Sequence, residues 1–176
     1  RLARTPDDLI GADKIILPGV GAFGAGMQQL HQQGLVEPLR EAVAAGVPYL
    51  GICLGMQFLF DASDEMGNHA GLGILRGKVT RFPETLPLKV PHMGWNQLHV
   101  REGARLFERV QKEAYFYFVH SYYCLPDAES DVAATADYGM PFCVAVQRDN
   151  IYGVQFHPEK SQRAGLQLLR YFVDMA

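Results

Sequence analysis

Three short segments of this 176-residue chain hold residue types that do chemistry together. The first is Gly51-Ile52-Cys53-Leu54-Gly55, which follows the apolar run Val47-Pro48-Tyr49-Leu50. A cysteine between a buried strand and a helix sits on a sharp turn, and flanking glycines let the backbone crowd there without clashing. Cys53 would then stand at a helix start, which favours the thiolate, the form that attacks. The plainer alternative is a buried core cysteine. The glycine bracket and the strand–turn–helix setting favour the nucleophile.

A thiolate nucleophile needs a base, and the base needs a group that orients it. The second segment, Gln155-Phe156-His157-Pro158-Glu159, supplies both directly after an apolar run. Pro158 restricts His157 to extended backbone. Residues two apart in extended chain project to the same side, so the Glu159 carboxylate can reach the imidazole. Alone, His-x-Glu reads equally well as a surface histidine beside a solvated glutamate. With the cysteine elbow it completes a candidate triad of Cys53, His157 and Glu159.

Acyl transfer also needs donors for an oxyanion. The backbone N–H of Leu54, next to the nucleophile, is one. The third segment, Pro18-Gly19-Val20-Gly21, offers a second from a loop after the neighbouring strand. Gly19-Val20-Gly21-Ala22-Phe23-Gly24 also matches the dinucleotide-binding fingerprint. That reading wants an acidic residue at the end of the next strand, where this chain has Ile52-Cys53.

The elements that must hold these segments read as strand and helix in alternation at first. Lys14–Leu17 and Val47–Ile52 are short apolar runs with the length and flanks of buried strands. Between them Met27, Leu30, Leu35, Leu39 and Val43 recur at helical spacing, with Pro38 near a helix start and Gly46 as a stop. Leu54–Phe60 returns to helix. The pattern predicts an α/β fold with an open, mostly parallel sheet flanked by helices. The second half adds antiparallel strands. Gly77–Phe82, Trp95–Val100, Ala114–Cys124, Val132–Ala136 and Phe142–Gln147 read as strands, and Ala104–Val110 as a short helix. Asp149-Asn150 turns Phe142–Gln147 into a hairpin with Ile151–Phe156. Ser161 can cap a last helix with Leu166, Leu169, Phe172 and Val173 on one face. With no linker, repeat or low-complexity tract, residues 1–176 read as one domain.

Composition narrows the function classes. The chain is 48% hydrophobic and 20% charged with a net charge of −3, enough apolar content for a real core. It has no Lys/Arg-rich block, which argues against a general nucleic-acid binder. The longest apolar stretch, Val47–Phe60, is too short and broken for a bilayer span of about 20 residues. Three scattered cysteines are no disulfide framework and suggest a reducing, cytoplasmic compartment. His92, His99 and His120 lack metal-ligand spacing, so no metal is expected. Cys124 and Cys143 read as inert core thiols, and the aromatic run Tyr115–Tyr123 as core packing rather than base stacking.

Taken together, Gly51–Gly55, Pro18–Gly21 and His157-Pro158-Glu159 resemble the class I, or triad, glutamine amidotransferases. Leu17–Phe23, Pro91-His92-Met93-Gly94-Trp95-Asn96 and Phe118–Tyr123 are similar to the glutaminase subunits of histidine biosynthesis within that family. The resemblance covers essentially the whole chain. It implies that Cys53 attacks the carboxamide of L-glutamine, that His157 moves the proton and that Glu159 orients His157. It implies an oxyanion hole from the Val20 and Leu54 N–H groups. Gly19, Gln57, Glu65, Ser121 and Tyr122 would bind glutamine, with no cofactor. It implies ammonia transfer to a (β/α)₈-barrel cyclase in a heterodimer, with His92 and Trp95 at the interface. The products there would be imidazole glycerol phosphate and aminoimidazole carboxamide ribonucleotide. The family opens with a further strand and helix, which are expected to be missing here. Two competing readings are an amidotransferase subunit for another ammonia acceptor, and a binding subunit without activity.

Overall fold

The nucleophile strand is apolar on both sides and lies between two parallel neighbours. The computed structural model describes residues 1–175. Strand β1 (Ile15–Gly19) leads through a glycine loop into helix α1 (Phe23–Gln32) and then helix α2 (Val36–Ala44). Strand β2 (Tyr49–Cys53) is buried at every position and passes straight into the single-turn helix α3 (Leu54–Gln57). That helix stops short of the expected Phe60. Two-residue strands β3 (Ala62–Ser63) and β4 (His69–Ala70) precede β5 (Gly77–Arg81), β6 (His92–Gln97) and β7 (His99–Val100). The expected helix after them is only a 3₁₀ turn, Arg105–Phe107. Strands β8 (Tyr115–His120), β9 (Tyr122–Pro126), β10 (Val132–Asp137), β11 (Pro141–Arg148) and β12 (Ile151–Val154) follow, and helix α4 (Gln162–Asp174) closes the order.

The main sheet runs β1-β2-β12-β11-β9-β5-β3-β4, with β10 joining β11 to β7. β2 pairs in parallel with β1 and β12. β11 and β12 form the expected antiparallel hairpin, with Asp149 at φ 49° in the turn. β6 and β8 form a separate two-stranded sheet. Apolar side chains build a core on each face of the main sheet. Leu50, Ile52, Val144 and Phe156 pack toward α4, while Tyr49, Ile15, Val146 and Ile151 pack toward α1 and α2. The result is the expected α/β sheet flanked by helices, with antiparallel strands beyond its parallel part.

Helix α4 buries Gly165, Leu168 and Phe172, whereas Leu166 and Val173 face solvent. The expected apolar face is therefore rotated. A Cβ on Gly165 would overlap the Pro158 carbonyl, so the helix packs on its glycine, which a count of apolar side chains passes over. Ser161 occupies the N-cap position but makes no capping bond; its hydroxyl donates to the His157 carbonyl at 2.6 Å.

His92, expected at a partner face, is 3% exposed and stacks on Tyr138 and Phe118. The correction follows from its place opposite His120 on the β6–β8 pair. The His120 Nδ1–H donates to the Tyr122 carbonyl at 2.8 Å, which leaves its Nε2 to accept from His92 Nδ1 at 3.0 Å. Burial lowers His92 to about 4 and His120 to about 3. Unfolded histidines bind protons near pH 6.5, so below that pH the unfolded chain gains protons that the folded chain refuses. Stability should therefore fall as pH drops from 6.5 toward 4. Urea unfolding should show a loss of roughly 1–3 kcal/mol between pH 7 and 5. The His92→Phe/His120→Phe double variant should lose less, and an equal loss would show that the pair is not responsible.

Candidate active site

Cys53 ends β2 with φ 54° and ψ −109°, a conformation that L-residues rarely hold. The glycine bracket explains how the chain reaches it. A Cβ on Gly51 would overlap the Gly55 carbonyl, and one on Gly55 would overlap the carbonyl oxygen of Leu17 on β1. The turn can close only where both positions lack a side chain. Register fixes what lies beside it, since Gly19, the last residue of β1, is paired with Cys53. The loop then turns through Gly21 at φ 97° into α1. Gly24 and Gly26 lie in α1, where a Cβ would strike His69 and Phe58 respectively. In this fold the Gly-x-Gly-x-x-Gly match therefore serves a turn and helix packing.

His157 follows β12 in extended backbone, φ −100° and ψ 95°, as Pro158 requires. Its N–H donates to Tyr117 O at 2.9 Å, which ties the segment to β8. Glu159 lies in the 3₁₀ turn Pro158–Lys160 rather than in extended chain, yet the expected contact forms. The His157 Nδ1–H donates to Glu159 Oε1 at 2.8 Å. A carboxylate only accepts, so this bond places a proton on Nδ1. Nε2 is buried and has no hydrogen-bond partner.

Cys53, Leu54, Gln57, Glu65, Ser121, Tyr122, Val20 and His157 line one cavity of about 390 Å³. Residues called from three segments and from the resemblance thus converge. Gly19 is not in that lining, and a Cβ there would crowd the Leu54 side chain. Glu159 stands behind His157, its side chain about half exposed. Glu65 Oε2 accepts from the Phe23 N–H at 2.7 Å, which anchors the start of α1. Trp95 is 46% exposed on β6 and lies outside the cavity. Sequence reasoning missed Pro91, His120 and Lys160 as wall residues, and Gln155 behind them. Lys160 directly follows the His-Pro-Glu motif, and its ammonium sits 5.8 Å from the Tyr117 ring centre.

The expectation of a resting thiolate is overturned. Burial pushes the Cys53 thiol up to about 11. The Leu54 N–H and the Gln155 amide pull it down, and Glu159 and Glu65 push it up. Helix α3 is a single turn and cannot offset this desolvation. At rest Cys53 is a buried thiol that shares the cavity with His157 and makes no hydrogen bond to its Nε2. Cys124 and Cys143 are buried and pushed up further by burial, Cys143 to about 12. Among the described residues, no group of three or more His, Cys, Asp or Glu could hold a metal ion. No helix among them is long and apolar enough to cross a membrane.

A buried cysteine on a glycine-bracketed turn shares one cavity with a histidine bonded to a glutamate, the residue set that a triad amidotransferase uses. The family described as Glutamine amidotransferase class-I matches residues 4–175, and the chain belongs to it. It is 52% identical to the imidazole glycerol phosphate synthase subunit HisH of Syntrophotalea carbinolica, over 98% of this chain and 88% of that protein. The subunit of the same name from Geobacter sulfurreducens is 50% identical over 97% and 84%. A solved structure described as a glutamine amidotransferase shares the fold, with TM-score 0.72 and 23% identity over 97% of this chain and 82% of that one. The glutaminase domain of Trypanosoma brucei CTPS does too, with TM-score 0.64 and 17% identity over 96% and 72%.

The close backbone approach at Gly55 makes a sharp prediction. Gly55→Ala should lose at least about 3 kcal/mol, or fail to fold, because backbone rather than a flexible side chain must move. Chemical denaturation measures this, and a variant of wild-type stability would show that the turn tolerates a side chain.

Proposed function

We propose that this chain hydrolyses L-glutamine to glutamate and ammonia through a Cys53 thioester. It then delivers the ammonia to a (β/α)₈-barrel cyclase partner in the cytoplasm. The observation that carries the reading is His157, its Nδ1 bonded to Glu159 and its Nε2 buried without a partner, in the same cavity as Cys53. As Sγ attacks the carboxamide carbon, the thiol proton passes to Nε2. That transfer removes the burial penalty that opposes a free thiolate. The tetrahedral oxyanion takes the Leu54 N–H and, after rearrangement of the Gly19–Gly21 loop, the Val20 N–H. His157 then protonates the leaving nitrogen, ammonia departs and a glutamyl thioester remains. Water, with His157 as base, releases glutamate. Glu65, Gln57, Ser121 and Tyr122 supply polar groups suited to a zwitterionic amino acid.

The name shared by the 50–52% identical relatives supports the pathway assignment, with imidazole glycerol phosphate and aminoimidazole carboxamide ribonucleotide as the partner's products. Residues 1–176 would act as one amidotransferase domain. Trp95, with Met93 and Tyr115 exposed beside it, would meet the partner. Val20 is 81% exposed at the cavity, where a partner could reach it.

Three results test this. Cys53→Ala, assayed with the cyclase partner, should lose glutamine-dependent synthesis by about 10³-fold or more and keep synthesis from ammonium salts. Loss of both would make Cys53 structural, and loss of neither would refute the glutaminase. His157→Ala should match that loss while Glu159→Ala is milder, and the His157→Ala/Glu159→Ala pair should cost little beyond His157→Ala alone. Additive losses would show that the two residues act independently. Nucleotide ligand on the partner should raise kcat for glutamine far more than it lowers KM, because the gain is an oxyanion donor.

A further inference from the structure

Gln155 carries the only amide in the apolar run Ile151–Phe156, and it has no exposed surface. Its backbone is pinned to the sheet, with its N–H donating to Val144 O at 2.8 Å. Its side chain joins two residues of the site. Nε2 donates to Cys53 Sγ at 3.6 Å, and Oε1 accepts from Gln57 Nε2 at 3.0 Å. Gln57 Nε2 also donates to the Tyr122 carbonyl at 3.3 Å.

The Tyr122 end of this relay fixes its direction. A backbone carbonyl only accepts, so Gln57 must turn its NH₂ to Tyr122. The same NH₂ reaches Gln155 Oε1, which leaves the Gln155 NH₂ facing the sulfur. The bond between the two amides then runs from Gln57 to Gln155. Both N–H groups of Gln57 are committed, and its Oε1 is the group left for a ligand in the cavity.

We propose that Gln155 serves both halves of the reaction: it donates to the nucleophilic sulfur, and it positions Gln57 so that a carbonyl oxygen, not an amide N–H, meets the substrate's ammonium group. The substrate half rests on the glutaminase reading above; the sulfur half does not. No formal charge is added near the sulfur, which already faces Glu159 and Glu65. His157, His120 and Lys160 line the same cavity, and Cys124 lies behind in the core. A neutral donor that spans two strands steadies developing negative charge without fixing a counter-ion where ammonia must form.

The test is alkylation of Cys53 by iodoacetamide across pH in the full chain, read by peptide mapping. Gln155→Met removes the donor at similar length, and Gln155→Glu keeps the outline but adds charge. The Met variant should move the alkylation midpoint up by about one unit. Its rate at pH 8 should fall about threefold, since the lost thiolate fraction is partly offset by higher nucleophilicity. The Glu variant should move further the same way. With glutamine and the cyclase partner, kcat should fall and KM should rise together, whereas synthesis from ammonium salts should be unchanged. Profiles that superpose on wild type in a folded variant would overturn the proposal. Should both variants unfold, the wild type decides: the Gln155 side-chain amide protons should shift in NMR as Cys53 titrates, and an unmoved signal would overturn it. Alkylation reads the sulfur whether or not glutamine is hydrolysed, so a chain that shifts as expected but hydrolyses no glutamine refutes the function and keeps this role.

Discussion

Everything at this site depends on the close approach of two backbones. The turn at Cys53 can exist only because Gly55 lies directly against the Leu17 carbonyl and Gly51 against that of Gly55. That contact holds Cys53 at φ 54° and aims its side chain into the cavity. It also brings the end of β1, and therefore the Gly19–Gly21 loop, alongside the nucleophile. Parallel pairing of β2 with β12 does the same for the segment that delivers Gln155 and His157. Three stretches far apart in sequence meet because one strand has parallel neighbours on both sides.

The same burial that makes the turn rigid sets the chemistry. Removing the sulfur from water disfavours its anion, so the site cannot store a thiolate cheaply. It holds instead an oriented imidazole, with His157 Nδ1 bonded to Glu159. Charge then separates only when a carbonyl is present to receive it. A thiol protonated at rest is also protected from stray electrophiles and oxidants.

Much of this was legible in the residues. The Gly51–Gly55 bracket announced the turn, because backbone contact of this kind excludes every other residue type. Pro158 announced the extended His157, and Asp149-Asn150 the hairpin. What stayed hidden depended on direction rather than type. Gln155 could have been found as an amide inside an apolar strand, a polar group that must have a partner. Its partner, however, is set by which side of β12 it leaves. His92 read as a partner contact from its motif, yet the register of β6 against β8 turns it onto Tyr138 and His120. The rotated face of α4 was missed because Gly165, with no side chain to count, makes the closest packing. The thiolate was expected from a helix start, but the strength of that effect depends on helix length, and α3 is one turn long.

Acylation of Cys53 alone is tested most directly by treating the protein with a glutamine analogue bearing an electrophilic carbon, followed by peptide mass spectrometry. One adduct is expected, on the peptide that carries Cys53, with Cys124 and Cys143 unmodified and protection by excess glutamine. An adduct mainly on Cys143 or Cys124, or labelling that glutamine does not slow, would contradict it.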